Sequence, residues 1–539
     1  MTTTQQLLWL WWIAIINAFS IVSCSLAFVP SSSLKFVSPP PKQRRVEEEE
    51  GICGRLRLSA SQDSDTLSFS QTPITTTIIE PNTPFGPFGS GGTITGFSKY
   101  PQVRQAFEEN FAQRLELGSQ LVVYQNGTKI VDLYGYSPET LVEGKSKTYD
   151  GDTIQVVASS GKNMEAIAMA MLVDRGLVNY NDPVQKHWPE FGANGKDQIT
   201  IADVMRHAGG VPFVLNSEKS SYLPIPITTE DIFQVLPMEE KICNTPRYLP
   251  ENDENSSSST CCYHAYTRGF LVNGILRRVD PSRRSLSQFL REEVTDPLSQ
   301  MMKTDEEEQV VRFFCGVPIK EQPNHTFAPL TLAFNLYALV AQFLPALFGF
   351  NPQLKAYLSW FLRRDGFRSF ASAVVYPFPT LLFTQFLSTP QGRSIEISSA
   401  GMHANARSIA LINAAAMMEG SIGGVRLMSP ETVEASMGDV QSGKDSATGA
   451  VFGFTKGGYG QFSESFREEC INENDLFHPD DKVAYGNFVG WGGVGGSLSL
   501  VDRERKISFA YCPNGFGSDA LWGIRTRRIL LKLQEALEE

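Results

Sequence analysis

The stretch 156-VVASSGKNMEAIAMAMLVDRG-176 sets two serines and a lysine at the head of an apolar, helix-forming run. Met164, Ile167, Ala168, Met171 and Leu172 recur at i, i+3, i+4 spacing, which predicts an amphipathic helix with its apolar stripe on a core. Ser159 and Lys162 are three apart and share a helix face, whereas Ser160 and Lys162 are two apart and point differently. Ser159 is therefore the serine that can meet the amine. At a helix N-terminus the free N–H groups and the dipole favour developing negative charge, so a serine there can draw an oxyanion donor from its own backbone N–H. A lysine in a semi-dry pocket can lose its proton near neutral pH and accept the serine's. The pattern is short, and a serine cap followed by a surface lysine would read the same way. A phosphate-binding loop is excluded, because Val156 and Asn163 stand where it needs glycine and Ser or Thr.

The bulk numbers suit an enzyme-sized globular chain. It has 539 residues, 42% hydrophobic and 19% charged, enough for one large domain or two. A formal net charge of -11 argues against a nucleic-acid partner. Cys24 and Cys53 lie near the N-terminus, and the other six of eight cysteines are scattered, with Cys261 and Cys262 adjacent. That is no disulfide framework, and neither CxxC pairs nor histidine spacing suggest a metal site.

The N-terminus reads as a presequence. Leu7 to Phe19 is an apolar run of signal-peptide length, too short for a comfortable membrane span, and SCSLAFVP offers cleavage near Ala27. We expect a signal peptide over 1–27 and a transit-like segment and linker over 28–93. The serine-, proline- and base-rich stretch that follows resembles the second half of a bipartite plastid presequence, with Phe28 opening it. The acidic run Glu47–Glu50 departs from a clean transit peptide, and plain secretion is the alternative. Sequons at Asn126, Asn255 and Asn324 are usable only on the secretory route.

Further along, Pro101 to Leu117 reads as a helix and Gln120 to Tyr134 as a hairpin around Asn126-Gly127. Ser497 to Val501 and Lys506 to Tyr511 form a second pair of strand-like runs, and Ser518 to Glu539 a final helix. One sheet built from both chain ends, with a mostly helical middle inserted, follows from this order. Glu251 to Thr260 is low-complexity and reads as a loop. Residues 329–387 are rich in Leu, Phe, Tyr and Trp and form a hydrophobic insertion, read either as a buried or lid helix pair or as a surface touching lipid or walling an acyl chain. Pro345, Pro352, Pro377 and Pro379 break it, against a true span.

The opening stretch continues DRGLVNYNDPVQKHWPEFGANGKDQITIADVMRHAGGVP, from Asp174 to Pro212. Together the two resemble the class C β-lactamase-like serine hydrolases, in their esterase-like branch with the eukaryotic β-lactamase-domain proteins, over residues 94–539. The resemblance implies an α/β (α+β) fold of the β-lactamase/transpeptidase kind: an antiparallel sheet flanked by helices, with a mostly helical subdomain. It implies Ser159 as nucleophile and Lys162 as its base partner. In CCYHAYTRGFLVNGILRRV it makes Tyr263 the proton relay to the leaving group, with Ala265 where the family's Tyr-x-Asn has asparagine. In VGWGGVGGSLSLVD it sets Trp491-Gly492-Gly493 on an edge strand whose glycines let backbone approach substrate. The N–H of Val494 would join that of Ser159 in an oxyanion hole, and Trp491 would replace a cation that binds a substrate carboxylate. The GxGxxG spelled by Gly490 to Gly495 is rejected as a dinucleotide site, because strands follow where a helix is required. His207 and the segment His403 to Arg407 read as framework.

The expected reaction is acyl transfer from an ester or amide through an acyl-enzyme on Ser159, with no metal or organic cofactor. A D-amino-acid peptidase, transpeptidase or β-lactamase is one alternative. A non-catalytic scaffold or filament-forming protein of the same fold is another. Peripheral membrane contact through 329–387 is the one further partner considered.

Overall fold

The computed structural model describes residues 73–78, 91–212, 235–247, 261–303, 310–332, 386–445, 451–461, 486–516 and 523–539. The segment read as signal peptide, the loop 251–260 and nearly all of the insertion 329–387 lie outside the described residues.

Among the described residues the main sheet has ten strands. In chain order they are β1 (Ile74–Ile78), β2 (Gly92–Ser98), β3 (Gly118–Gln125), β4 (Thr128–Tyr136), β5 (Gln441–Lys444), β6 (Val451–Phe454), β7 (Gly460–Gln461), β8 (Val489–Gly492), β9 (Leu498–Asp502) and β10 (Ile507–Pro513). Their spatial order is β1-β2-β4-β3-β10-β9-β8-β7-β6-β5, antiparallel throughout. Both chain ends therefore meet in one sheet, at the β3–β10 pair, where Val123 faces Phe509. The β3–β4 hairpin turns through Asn126 and Gly127, at φ 50° and 74°. That is the left-handed pair a two-residue turn needs to match strand twist. The sheet also reaches back into the segment read as linker: Ile74–Ile78 pairs with Gly92–Gly96.

Alternation along the central strands sorts side chains onto two cores. Leu121 and Val123 of β3, Leu498 and Leu500 of β9, and Phe509 and Tyr511 of β10 face one side. There α1 (Pro101–Ala112) contributes Phe107 and Phe111, and the C-terminal helix Ile524–Glu538 contributes Ile529, Leu530 and Leu533. Val122, Tyr124, Val501, Ala510 and Cys512 face the other side. There α2 (Lys162–Asp174), α3 (Thr267–Val279) and α4 (Ala406–Asn413) pack with further short helices.

The expected amphipathic helix differs in one respect. Every residue of α2 from Lys162 to Leu172 is buried. The cause is position: α2 lies between the sheet and the other helices of its layer, so it has no solvent face. Asn405 caps α4 by accepting the Ser408 N–H at 2.9 Å, and Arg407 pairs with Asp132, so the His403–Arg407 segment serves as framework.

Candidate active site

Ser159 sits in a turn of 3-10 helix, Ala158–Gly161, that runs directly into α2. Ala158 takes φ 45°, a left-handed conformation strained for alanine, which turns the chain sharply just before the serine. The turn is anchored by its neighbours. Val157 N–H donates to Met402 O at 3.0 Å, and Ser497 Oγ donates to Val157 O at 2.7 Å. Ser160 is buried and bonds Ser497 Oγ at 2.9 Å, so the second serine is a structural tie.

Lys162 is wholly buried. Its Nζ donates to Ser399 O at 2.7 Å and Ala265 O at 3.0 Å, and lies 3.2 Å from Ser159 Oγ. Burial brings its pKa down to about 7, Glu165 on the same helix opposes the fall, and Arg268 adds to it. The Tyr263 hydroxyl is 2.8 Å from Ser159 Oγ, and its backbone N–H donates to Asp445 Oδ1 at 2.6 Å. Burial holds the Tyr263 phenol above its ordinary pKa, against a smaller lowering by Ser159. Lys162 and Tyr263 thus converge on the Ser159 oxygen.

Trp491 supplies the wall beside them. Its indole N–H donates to Gly458 O at 2.9 Å, and its ring stacks on Phe454 at 5.4 Å and Tyr263 at 6.1 Å. His207 packs edge-on to Trp491 at 5.3 Å and against Tyr263 at 4.8 Å. Its Nδ1 accepts the His264 N–H at 3.0 Å, and burial keeps the ring neutral, a structural use. β8 is not the edge strand that the resemblance implied: it lies between β9 and β7, with Val489 and Gly490 paired to β7 and Gly492 paired to Leu498 of β9, because β5 to β7 extend the sheet beyond it. Gly493 lies close against the serine turn, where a Cβ would meet Ser497 Oγ and would lie 2.5 Å from Val157 O and 3.2 Å from Ser159 N. The turn after β8 closes with Gly493 N–H to Ser497 O at 2.8 Å and Gly496 N–H to Gly493 O at 2.9 Å. Neither bond uses the N–H of Val494.

Four further residues belong to this cluster: Glu165, Arg268, Ser399 and Asp445. Glu165 and Arg268 were visible as charges inside apolar helical runs. Ser399 and Asp445 carried no local signal, since they meet the site across 237 and 182 positions of chain. Among the described residues, no group of three His, Cys, Asp or Glu side chains could hold a metal ion.

The Beta-lactamase family model matches residues 103–534. The chain belongs to the Beta-lactamase family. Esterase/beta-lactamase LipL of Mycobacterium tuberculosis is 26% identical over 439 residues, covering 77% of this chain and 81% of that protein. A penicillin-binding protein homolog from Caulobacter crescentus superposes with a TM-score of 0.59 at 22% identity, over 82% of this chain and 99% of its own. A family VIII carboxylesterase does so with a TM-score of 0.59 at 21% identity, over 82% and 99%. EstA from Arthrobacter nitroguajacolicus Rue61a gives 0.57 at 21%, over 82% and 98%. These structures share the fold, a large antiparallel sheet with helices on both faces.

Proposed function

We propose that this Beta-lactamase family chain is a serine hydrolase that cleaves uncharged carboxylic esters through an acyl-enzyme on Ser159. The observation that carries the reading is Ser159 Oγ held 3.2 Å from a buried, carbonyl-caged Lys162 amine and 2.8 Å from the Tyr263 hydroxyl. Lys162, brought down to about 7, is the better base near neutral pH, because the Tyr263 phenol is held protonated. In the first step Ser159 Oγ bonds to the acyl carbon as its proton passes to Lys162 Nζ. The oxyanion is met by the N–H groups of Ser159 and Val494. The C–O bond to the leaving alcohol then breaks as Tyr263 gives that oxygen a proton, and the Lys162 ammonium, which lies beside the Tyr263 ring, returns a proton to the phenolate. Water attacks the acyl-enzyme by the reverse relay and frees the acid.

Three residues favour esters over lactams and peptides with a free carboxylate. Ala265 lacks the amide that would bind a substrate amide. Trp491 carries no charge, and its N–H is already given to Gly458 O. The Arg268 guanidinium near Trp491 is paired with Glu165. The printed name of LipL, with both activities in it, is consistent with the ester reading and keeps a β-lactam in the test. The full chain is expected to hydrolyse p-nitrophenyl acyl esters, with chromogenic β-lactams and D-amino-acid amides turned over at least tenfold more slowly and all turnover lost in Ser159→Ala. Preference for the lactam or the amide would overturn the ester assignment.

A further inference from the structure

Glu165 and Arg268 are both wholly buried and lie 3.2 Å apart beside Lys162. Burying an ion pair is poor evidence of stabilisation, because desolvation offsets most of the attraction. This pair is also imperfect: Arg268 Nε and Glu165 Oε2 have no hydrogen-bond partner among the described residues. What it does have is a double connection to Lys162. Glu165 Oε1 accepts from Ser398 Oγ and Ser399 Oγ, each at 2.7 Å, and Ser399 O is the nearer carbonyl of the Lys162 cage. Arg268 Nη2 donates to Lys162 O at 3.3 Å, and Nη1 donates at 3.1 Å to Gly458 O, which also fixes Trp491. Gly269 makes room for the pair, since a Cβ there would sit 2.2 Å from Ser398 Oγ and 2.8 Å from Glu165 Oε1.

We propose that the Glu165–Arg268 pair is the positioning unit of Lys162: it orients the Ser399 carbonyl and sets two opposed charges against the amine, so that neither protonation state is locked in. This rests on the serine-hydrolase reading above. Glu165 favours the ammonium and Arg268 disfavours it, while burial sets the starting point. The other groups facing Lys162 contribute no compensating charge. His207 and His264 are kept neutral by burial, and Tyr263 is kept as a phenol. On the far side of the pair, Tyr180, Tyr459 and Cys315 are likewise held protonated. Asp445 bonds the Tyr263 backbone N–H.

The test is the pH dependence of the second-order rate at which a fluorophosphonate labels Ser159 in the full chain, with thermal melting of each variant alongside. Glu165→Gln is expected to move the acid limb about one unit to lower pH and Arg268→Gln about one unit to higher pH. The double variant is expected to return the limb to the wild-type position with a plateau at least tenfold lower. Limbs that coincide in all four proteins, or single variants that shift the same way, overturn the proposal. If a single variant fails to melt cooperatively, Glu165→Asp and the double variant decide. The expected result is a wild-type limb in both with the double variant's plateau lowered, and an unchanged plateau overturns the proposal. A wild-type chain that labels at no pH overturns the hydrolase reading and this proposal with it.

Discussion

A lysine amine has two hydrogens and a lone pair when neutral and three hydrogens when charged. The Lys162 cage offers two carbonyl acceptors and the Ser159 hydroxyl, so the neutral form can give both hydrogens to Ser399 O and Ala265 O and turn its lone pair to Ser159. The charged form fits equally, with Ser159 as third acceptor. The pKa of about 7 makes both states accessible. In the proposed mechanism the neutral amine is the active one, so activity should rise with pH through about 7 and then level off, which a kcat/KM profile on an acetyl ester reads. Tyr263→Phe keeps the ring packing on Trp491 but removes the proposed relay, and kcat should fall about 10²–10⁴-fold with little change in melting. At this scale spacing alone put Ser159 and Lys162 on one helix face, a pattern that a serine cap and a surface lysine would also give, and their roles were read through the family resemblance. Tyr263 was legible through the family resemblance. Glu165 was in plain view at the next i+3 step, but its partner Arg268 is 103 positions away, and periodicity carries no information across that gap.

The turn that presents Ser159 is held by elements distant in sequence. β8 ends at Gly492, and Gly493 presses its backbone onto Val157 and Ser159, which are themselves backbone and cannot give way as a side chain would. Gly493→Ala should therefore cost about 1–3 kcal/mol in stability, as overpacking does, and lower Ser159 labelling more than tenfold. Denaturant unfolding and labelling rate check the two parts. Asn405→Ala removes a helix cap far from the reacting atoms and should cost about 0.5–2 kcal/mol with labelling unchanged. Hairpin β3–β4, strands β9 and β10, and the final helix were legible because alternation and an Asn-Gly turn are local signals. The short strands β5 to β7 were not, since segments of two to four residues carry no period of their own, and β8 was expected only through the resemblance. The α2 pattern was read as amphipathic because its largest side chains do recur at helical spacing. Burial of its remaining face comes from alanines and from tertiary position.

Across the whole molecule the sheet divides two jobs. The α1 and C-terminal helices pack the face away from the candidate site, and α2, α3 and α4 pack the face that carries it. Leu533 lies wholly buried in the far core. Leu533→Ala should lower stability by about 2–5 kcal/mol and leave the acid limb of the pH profile where it is, a separation that melting and kinetics together reveal. Sheet closure by both chain ends was foreseeable from the matching strand runs at each terminus. The site itself assembles Ser159, Tyr263, Ser399, Asp445 and Trp491 from five separate stretches, and only the fold brings those together. The most direct measurement is to treat the full chain with a fluorophosphonate, beside Ser159→Ala and Ser160→Ala, and to locate the adduct by peptide mapping. The account predicts one adduct on Ser159, absent only in Ser159→Ala. No adduct on a folded wild-type chain, or an adduct on Ser160, would contradict it.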